Sequence, residues 1–571
     1  TVEHNTDPGN EHGNWSAATM IKRNSTSSSE DDTRNIWSAM PGSPYLGNWD
    51  NFNTNASDAI RDLFDRLGYT IPDYHNASSD CPAVGSDTVL GDEVIGLINF
   101  MKGNDYFDYD GDCDVEEVRT HVMGDIYHSQ LIEVGPPDMT TNFSGTNEEA
   151  YWRAKNGYQS FMAANSNRDN IIYAGSNSGV LHAFDAGSGK VIWGFVPPLV
   201  APYLPLTMNN NLNLPKGGGS NAIFGVDGSI VAHDMYFKSP LDTAKKWHTI
   251  LFVPYGRGGA GMSVLDVTNP NKPLHLWSIF NDKINNRVYR VDHNQVIYNY
   301  DYISNSYSLA SFQEAQDVTD NYNGGGTKLA CNSSLTTNCY KSKNWTFPVQ
   351  GITKKDLSVI YNGNNYTNFS VSTNSSNDTV ITFGTEMIYA ADPDVPDETS
   401  SLGVFIKAGA KATGVQTHPE YDYSQLGETW ASPRIFRMPN TGAGDSNPAD
   451  DIYVAVMGGG FGAQHSGFGS NLTIVNLEDT TYPGKLEKVI PIEDLVSSDI
   501  VNSTPGTPVV ITPDTARGIT FRGALVYLSD LEGKITKFNL TNMSDDGKGN
   551  AIKMYDSTTL FTAGSKSTNG R

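Results

Sequence analysis

The densest chemistry in this sequence lies in NDYFDYDGDCDVEEVR, residues 104–119, where Asp108, Asp110, Asp112 and Asp114 alternate with other residues and Glu116 and Glu117 follow. Carboxylates at i, i+2, i+4 and i+6 in a curled loop turn their oxygens toward one hard cation, the ligand pattern of calcium loops. Calcium is the cofactor this pattern predicts, with those six acidic residues as candidate ligands. Without a cation, carboxylates this close repel by about 1 kcal/mol per pair even in water. The match to an EF-hand is imperfect, because Cys113 stands where Gly is expected and Arg119 where the bidentate Glu belongs. Glu116 or Glu117 would have to close a shorter loop. A solvated acidic turn and a magnesium site are the competing readings; the octahedral demand of magnesium suits so carboxylate-rich a loop less well.

Other reactive groups are sparse. Cys81, Cys113, Cys331 and Cys339 are the only four cysteines, an even set that permits two disulfides in an oxidising compartment. Three pairings are possible. Cys331 and Cys339 flank the polar stretch NSSLTTN, where a local bridge would pin a loop and leave Cys81 with Cys113. Free thiols in a reducing compartment are the alternative. His128, His182, His233 and His248 each border a strand-like run beside Ser, Asp or similar neighbours, and are read as hydrogen-bonding groups rather than as catalysts or ligands. No HExxH, CxxC, GxSxG or P-loop pattern occurs, and VMGGGFG lacks the Lys-Ser/Thr and the helix that phosphate binding needs. The expectation is a protein that is not an enzyme.

The elements that would carry these residues are mostly strands. Two helices are expected, at Ser57 to Leu67 with an Ile60/Leu63/Phe64/Leu67 stripe and at Asp92 to Lys102 with Val94/Ile95/Ile98/Met101, each stopped by a glycine. Residues 1 to about 50, rich in Asn, Ser, Thr and Asp, read as an extended or partly ordered lead-in. From about Gly124 short β-rich runs alternate with Gly, Asn, Asp and Pro, and one unit recurs at 173–195, 258–279, 459–490 and 525–542. Each copy is a strand pair with a Gly-containing turn, then Asp or Asn before the next turn, with landmarks at Asp185, Asp266, Asn476 and Asn539. An antiparallel blade explains the pattern: glycine allows close strand approach, and the Asp or Asn bonds local backbone amides. TVITFGTEMIYAADP, 379–393, reads as another blade strand pair, and about 285–375 as an inserted β-rich element.

The predicted class is therefore all-β, a β-propeller of about five to seven blades, possible incompleteness in this chain included, with a small helical N-terminal segment. Its divisions are a lead-in with short helices and the acidic loop over 1–123, and the propeller over 124–571. Charged residues make up only 18% of the chain and the net charge is −25, so its surface repels nucleic acid and anionic lipid. No run approaches the roughly 20 apolar residues that span a bilayer. The chain opens at Thr1 without a basic or apolar leader, which reads as a processed start, and Asn-x-Ser/Thr triplets such as those at Asn14, Asn344 and Asn471 suit an exported surface.

Seven segments resemble, in order, the propeller signatures of the PilY/PilC family of type IV pilus tip-associated adhesins. They are GDIYHSQLIEVGPP (124–137), YAGSNSGVLHAFDAGSGKVIWGFVPP (173–198), FGVDGSIVAHDMYF (224–237), WHTILFVPYGRGGAGMSVLDVTNP (247–270), LGETWASPRI (426–435), VAVMGGGFG (454–462) and LVYLSDLEGKITKFNL (525–540). The resemblance implies an exported adhesin and assembly factor at the cell surface or pilus tip. It would contact minor pilins, bind host or abiotic surfaces, and use calcium. Departures stand beside it. The family's calcium loop before the strand at Leu525 corresponds here to ITPDTARGITFRG, where Asp514 is the one acidic residue, and further family propeller sequence would follow LFTAGSKS (560–567). The family's von Willebrand A-like region has no counterpart in these residues. FDAGSGKVIWGF also resembles the blade repeat of quinone-cofactor (PQQ) dehydrogenases, but only one copy has the full form and no vicinal cysteine pair occurs. That enzyme and a generic secreted binding propeller are the alternatives.

Overall fold

Strand-forming runs broken by Gly, Asn, Asp and Pro fold back on themselves, and in this chain they become antiparallel meanders. The computed structural model describes residues 17–21, 34–71, 93–107, 117–118, 122–143, 148–208, 223–284, 286–301, several strands between 310 and 406, 419–440, 445–462, 468–492, 502–512, 521–545 and 549–563. Two compact units are distinguished, Thr1–Asp301 with Glu420–Arg571, and Tyr302–Pro419.

Among the described residues the first unit holds four blades. Ile132–Val134, Ile171–Gly175, Leu181–Asp185 and Val191–Phe195 form the first, with Ile36–Trp37 added in parallel to its last strand. The second is a six-stranded meander from Val231–Phe237 through Lys246–Pro254, Gly261–Asp266, Leu274–Asp282 and Arg287–Asp292 to Ile297–Asp301. Arg434–Met438, Ile452–Gly458, Asn471–Asn476 and Leu486–Pro491 make the third, and Val509–Ile511, Gly523–Ser529, Lys534–Thr541 and Ser557–Thr562 the fourth. The fold is all-β, a β-propeller with few helices, as the sequence predicts.

All four landmarks lie at or near the end of a third strand and do the same work. The Oδ1 atoms of Asp185, Asp266, Asn476 and Asn539 accept backbone N–H bonds from Ser188, Thr268, Glu478 and Thr541 respectively. Each turn is thereby held by a side chain two or three residues back, the Asx geometry that makes Asp and Asn favourable there.

Blades are joined by a repeated backbone latch. The residues that end one blade's second strand bond the segment leading into the next blade: Val226 N–H to Ser176 O, Gly256 N–H to Thr429 O, and Gly460 with Thr504 in both directions at 3.2 Å. Glycine is required at the last of these. Gly460 has φ of 95°, and a Cβ there would collide with the carbonyl oxygen of Glu428. Between the third and fourth blades Val454, Val456 and Ile474 pack in one buried cluster with Val526, Phe538 and Leu540.

The two expected helices form as Ser57–Arg66 and Glu93–Lys102, with Ile60, Leu63 and Phe64 buried as the stripe predicts, and Ala17–Met20, Glu148–Lys155 and Tyr158–Ala164 are helical besides. Full burial of each such side chain contributes about 1.5–3 kcal/mol. Two expectations change. Thr379–Ala390 is one 12-residue strand of the second unit, paired to Asn338–Phe347 and Phe369–Thr373, and not a blade hairpin, because the run TFGTEMI stays extended through Gly384. Within the lead-in, Trp37 is fully buried and Asn51 ties Ser38 through both its backbone groups, so residues 34–56 are stitched into the first blade. Apolar burial at Ile36 and Trp37 outweighs the polar composition around them.

Candidate functional site

The acidic loop has a defined neck. Asn104 and Val118 form an antiparallel bridge, and Asp105 N–H donates to Glu117 O at 2.8 Å, with Tyr106 and Phe107 buried beside it. Glu117 is half-buried at this neck. Asp108, Asp110, Asp112, Asp114 and Glu116 lie outside the described residues, as do Cys81, Cys113 and Cys331. Cys339 sits in strand Asn338–Phe347 opposite Leu329. Next to the neck a 190 Å³ cleft is lined by Arg34, Asp50, Asn53, Asn99, Lys102 and Asn104 among others. Lys102 pairs with Asp50 and donates to Arg34 O; burial lowers its pKa against the opposing pull of Asp50.

The four histidines occupy four different environments. His182 is fully buried, with Nε2 against Ser176 Oγ at 3.2 Å, and burial together with the Arg34 guanidinium keeps it neutral. The His233 ring lies 6.2 Å from that of Tyr453. His248 is clamped, Nε2 on Asp242 at 2.8 Å and Nδ1 on Asp266 at 2.7 Å, with Lys246 also on Asp242 and the Phe237 ring alongside. Burial alone would lower its pKa, but the bonds and charges of Asp266 and Asp242 raise it above 6.5. The stabilisation is therefore complete below about pH 6.5 and is lost as pH rises through the higher folded value. Against His248→Gln, the native chain should show an advantage of about 1.5–3 kcal/mol in urea unfolding near pH 6 that shrinks by pH 9; equal advantages at both pH values would refute the clamp.

His128 is different, because it faces solvent. Its Nδ1 meets Asp227 Oδ2 at 2.6 Å, and its backbone N–H donates to Asp227 Oδ1 at 3.0 Å. The Asp227 side chain is 1% exposed and that of His128 34%. Tyr127 crosses the His128 ring edge-on at 4.2 Å, and the tilted Trp430 ring lies 4.7 Å from it. The Trp430 indole N–H donates to Glu428 Oε2 at 3.0 Å. Glu428 and Phe461 exchange two backbone bonds at 2.8 and 2.9 Å, which sets their side chains on one side of the ladder. Tyr127 and His128 precede the first blade, Asp227 the second, and Glu428 and Trp430 the third, so three lead-in segments converge here. Asp227 holds the imidazole through Nδ1 while the side chain stays partly exposed, which suits hydrogen bonding to a ligand. The sequence does not disclose this grouping. GDIYHS, FGVDGS and LGETWAS were visible as separate signatures, with no local sign that they meet.

Asp445, Asp450 and Asp451 form the one triad with metal-ligand spacing among the described residues. Arg522 already engages two of the three, with Nε and Nη2 on Asp451 at 2.9 and 3.0 Å and Nη2 on Asp445 at 3.4 Å. Arg437 lies 3.8 Å from Asp451 and stacks 3.7 Å from the Trp152 ring. The chemistry of this set is that of a buried guanidinium clamp joining the third and fourth blades.

Antiparallel blades latched through glycine turns define the chain as a β-propeller. Residues 123–315 match the family model described as the PilY1 beta-propeller domain, so the resemblance to the PilY/PilC family holds over that segment. A type IV pilus biogenesis factor PilY1 homolog of Xylella fastidiosa (strain Temecula1) is 34% identical over 195 residues, 33% of this chain and 14% of that protein. The type IV pilus biogenesis factor PilY1 of Pseudomonas aeruginosa (strain UCBPP-PA14) is 33% identical over 159 residues, 28% of this chain and 12% of that protein. The matches thus span only a small share of the length of these relatives. The crystal structure of the Pseudomonas aeruginosa PilY1 C-terminal domain aligns with 72% of this chain and 45% of its own, at 16% identity and a TM-score of 0.32. No helix among the described residues is long and apolar enough to cross a membrane.

Proposed function

We propose that this chain supplies the propeller of a PilY1-type type IV pilus biogenesis factor, working by presenting surfaces rather than by catalysing a reaction. The observation that carries this reading is the family match over 123–315, which spans the first two blades and the latch between them. On this reading the protein is exported to the cell surface or pilus tip. It contacts minor pilins there and binds host or abiotic surfaces. Labelled protein imaged on intact cells should lie at filament ends; labelling that never coincides with pili would exclude the role.

Calcium in the acidic loop belongs to the same proposal. The backbone bond from Asp105 to Glu117 joins the two ends of the acidic stretch, and the number of carboxylates in the sequence between them suits a cation that needs six or more oxygens. Those acidic side chains would hold the ion, and the ion would offset their mutual repulsion. A ligand bound only by the folded state stabilises it by about 2.7 kcal/mol at a free concentration 100 times its Kd. EDTA should therefore lower the thermal midpoint, and added calcium should restore it. A melt that EDTA leaves unchanged removes calcium from the proposal.

A further inference from the structure

We propose that the surface made by Tyr127, His128, Glu428, Trp430 and Phe461 is a binding site for an uncharged carbohydrate. The site stands apart from the pilus reading and from the acidic loop, so its failure and theirs are separately detectable.

The first argument is the aromatic surface itself. Tyr127 is 70% exposed and Phe461 42% exposed, and with His128 and Trp430 they flank one short stretch around Glu428. Single exposed apolar side chains need no explanation, whereas aromatic rings gathered from two lead-in segments and the end of the third blade's second strand mark a recognition surface. The second is rigidity. His128 is held by two bonds to Asp227, Glu428 by two backbone bonds to Phe461 and one from Trp430, so little ordering remains to be done when a ligand arrives.

Charge then selects the ligand. The carboxylate of Glu428 already receives the Trp430 N–H and lies within electrostatic reach of the Lys283 ammonium, which itself sits 4.7 Å from the Phe468 ring. Asp227 is buried against His128. Among the described residues, the arginine–ring contacts fall on Phe224, Tyr298, Tyr421 and Trp152, and not on Tyr127, Trp430 or Phe461. The rings are bordered by the Glu428 carboxylate and the partly exposed His128 imidazole. A pyranose matches that set: its C–H face lies on a ring while its hydroxyls donate to a carboxylate and bond an imidazole nitrogen.

The test is calorimetric titration of the full 571-residue chain with neutral oligosaccharides ending in glucose, galactose, mannose or N-acetylhexosamine. Oligolysine and a sialylated oligosaccharide serve as the charged comparators. At least one neutral sugar should bind, and Tyr127→Ala and Phe461→Ala should each weaken it by about tenfold. Both side chains are exposed, so an unchanged thermal midpoint verifies the fold of each variant. Glu428→Gln should also weaken the sugar by removing the charged acceptor. The proposal is overturned if no neutral sugar binds, if binding survives Tyr127→Ala and Phe461→Ala combined, or if oligolysine binds instead and Glu428→Gln abolishes it.

Discussion

Gly460→Val should be among the most damaging single changes in this protein, at about 3–5 kcal/mol. Two costs add. The residue is held at φ of 95°, where a β-branched side chain is strained, and its Cβ would strike the carbonyl of Glu428. Relief of the collision requires the second strand of the third blade to move away from both neighbouring lead-ins. That movement breaks the paired bonds between Gly460 and Thr504. Hydrogen exchange is the direct readout, since the amides of Gly460 and Thr504 should lose protection while those of the first blade keep theirs. Gly549→Ala is the control: φ there is 88° but nothing lies within 4 Å of its Cβ, so only strain of about 1–2 kcal/mol remains. Equal effects of the two substitutions would sink the latch.

Arg522→Met should cost about 3–5 kcal/mol, because it strands a carboxylate rather than because the ion pair is strong. The Asp451 side chain is 0% exposed and that of Asp445 4% exposed, and both bond the same guanidinium. Arg437, 3.8 Å from Asp451, is itself shared with Glu149 and cannot replace it. Adding Asp451→Leu to Arg522→Met should recover part of the loss, since one of the two stranded carboxylates is then gone while that of Asp445 remains. A double variant as unstable as the single one would show that packing, not charge, dominates the clamp. The same pairing explains why Asp445 and Asp451 make an interblade tie.

The blades were legible for a local reason. Alternating apolar residues, a glycine turn and an Asp or Asn landmark all act within a few residues, so Asp185, Asp266, Asn476 and Asn539 disclosed their roles from pattern alone. The helix at Ser57–Arg66 was equally readable from its stripe. Residues 34–56 misled because polar composition masked two apolar anchors, and Thr379–Ala390 misled because glycine inside a strand looks like a turn. Of the candidate site, the acidic loop was legible as a donor set, and its neck at Asn104 and Val118 came from the fold.

By itself the sequence determined an all-β propeller of glycine-turned meanders, its family resemblance and an acidic loop suited to a hard cation. Tertiary structure decided which distant groups meet: His128 with Asp227, 99 residues apart, and Arg522 with Asp451, 71 apart. Strand periodicity and turn chemistry are short-range and repeat in every blade. The meeting of two lead-in segments depends instead on how one sheet packs beside the next, and no local pattern encodes that angle.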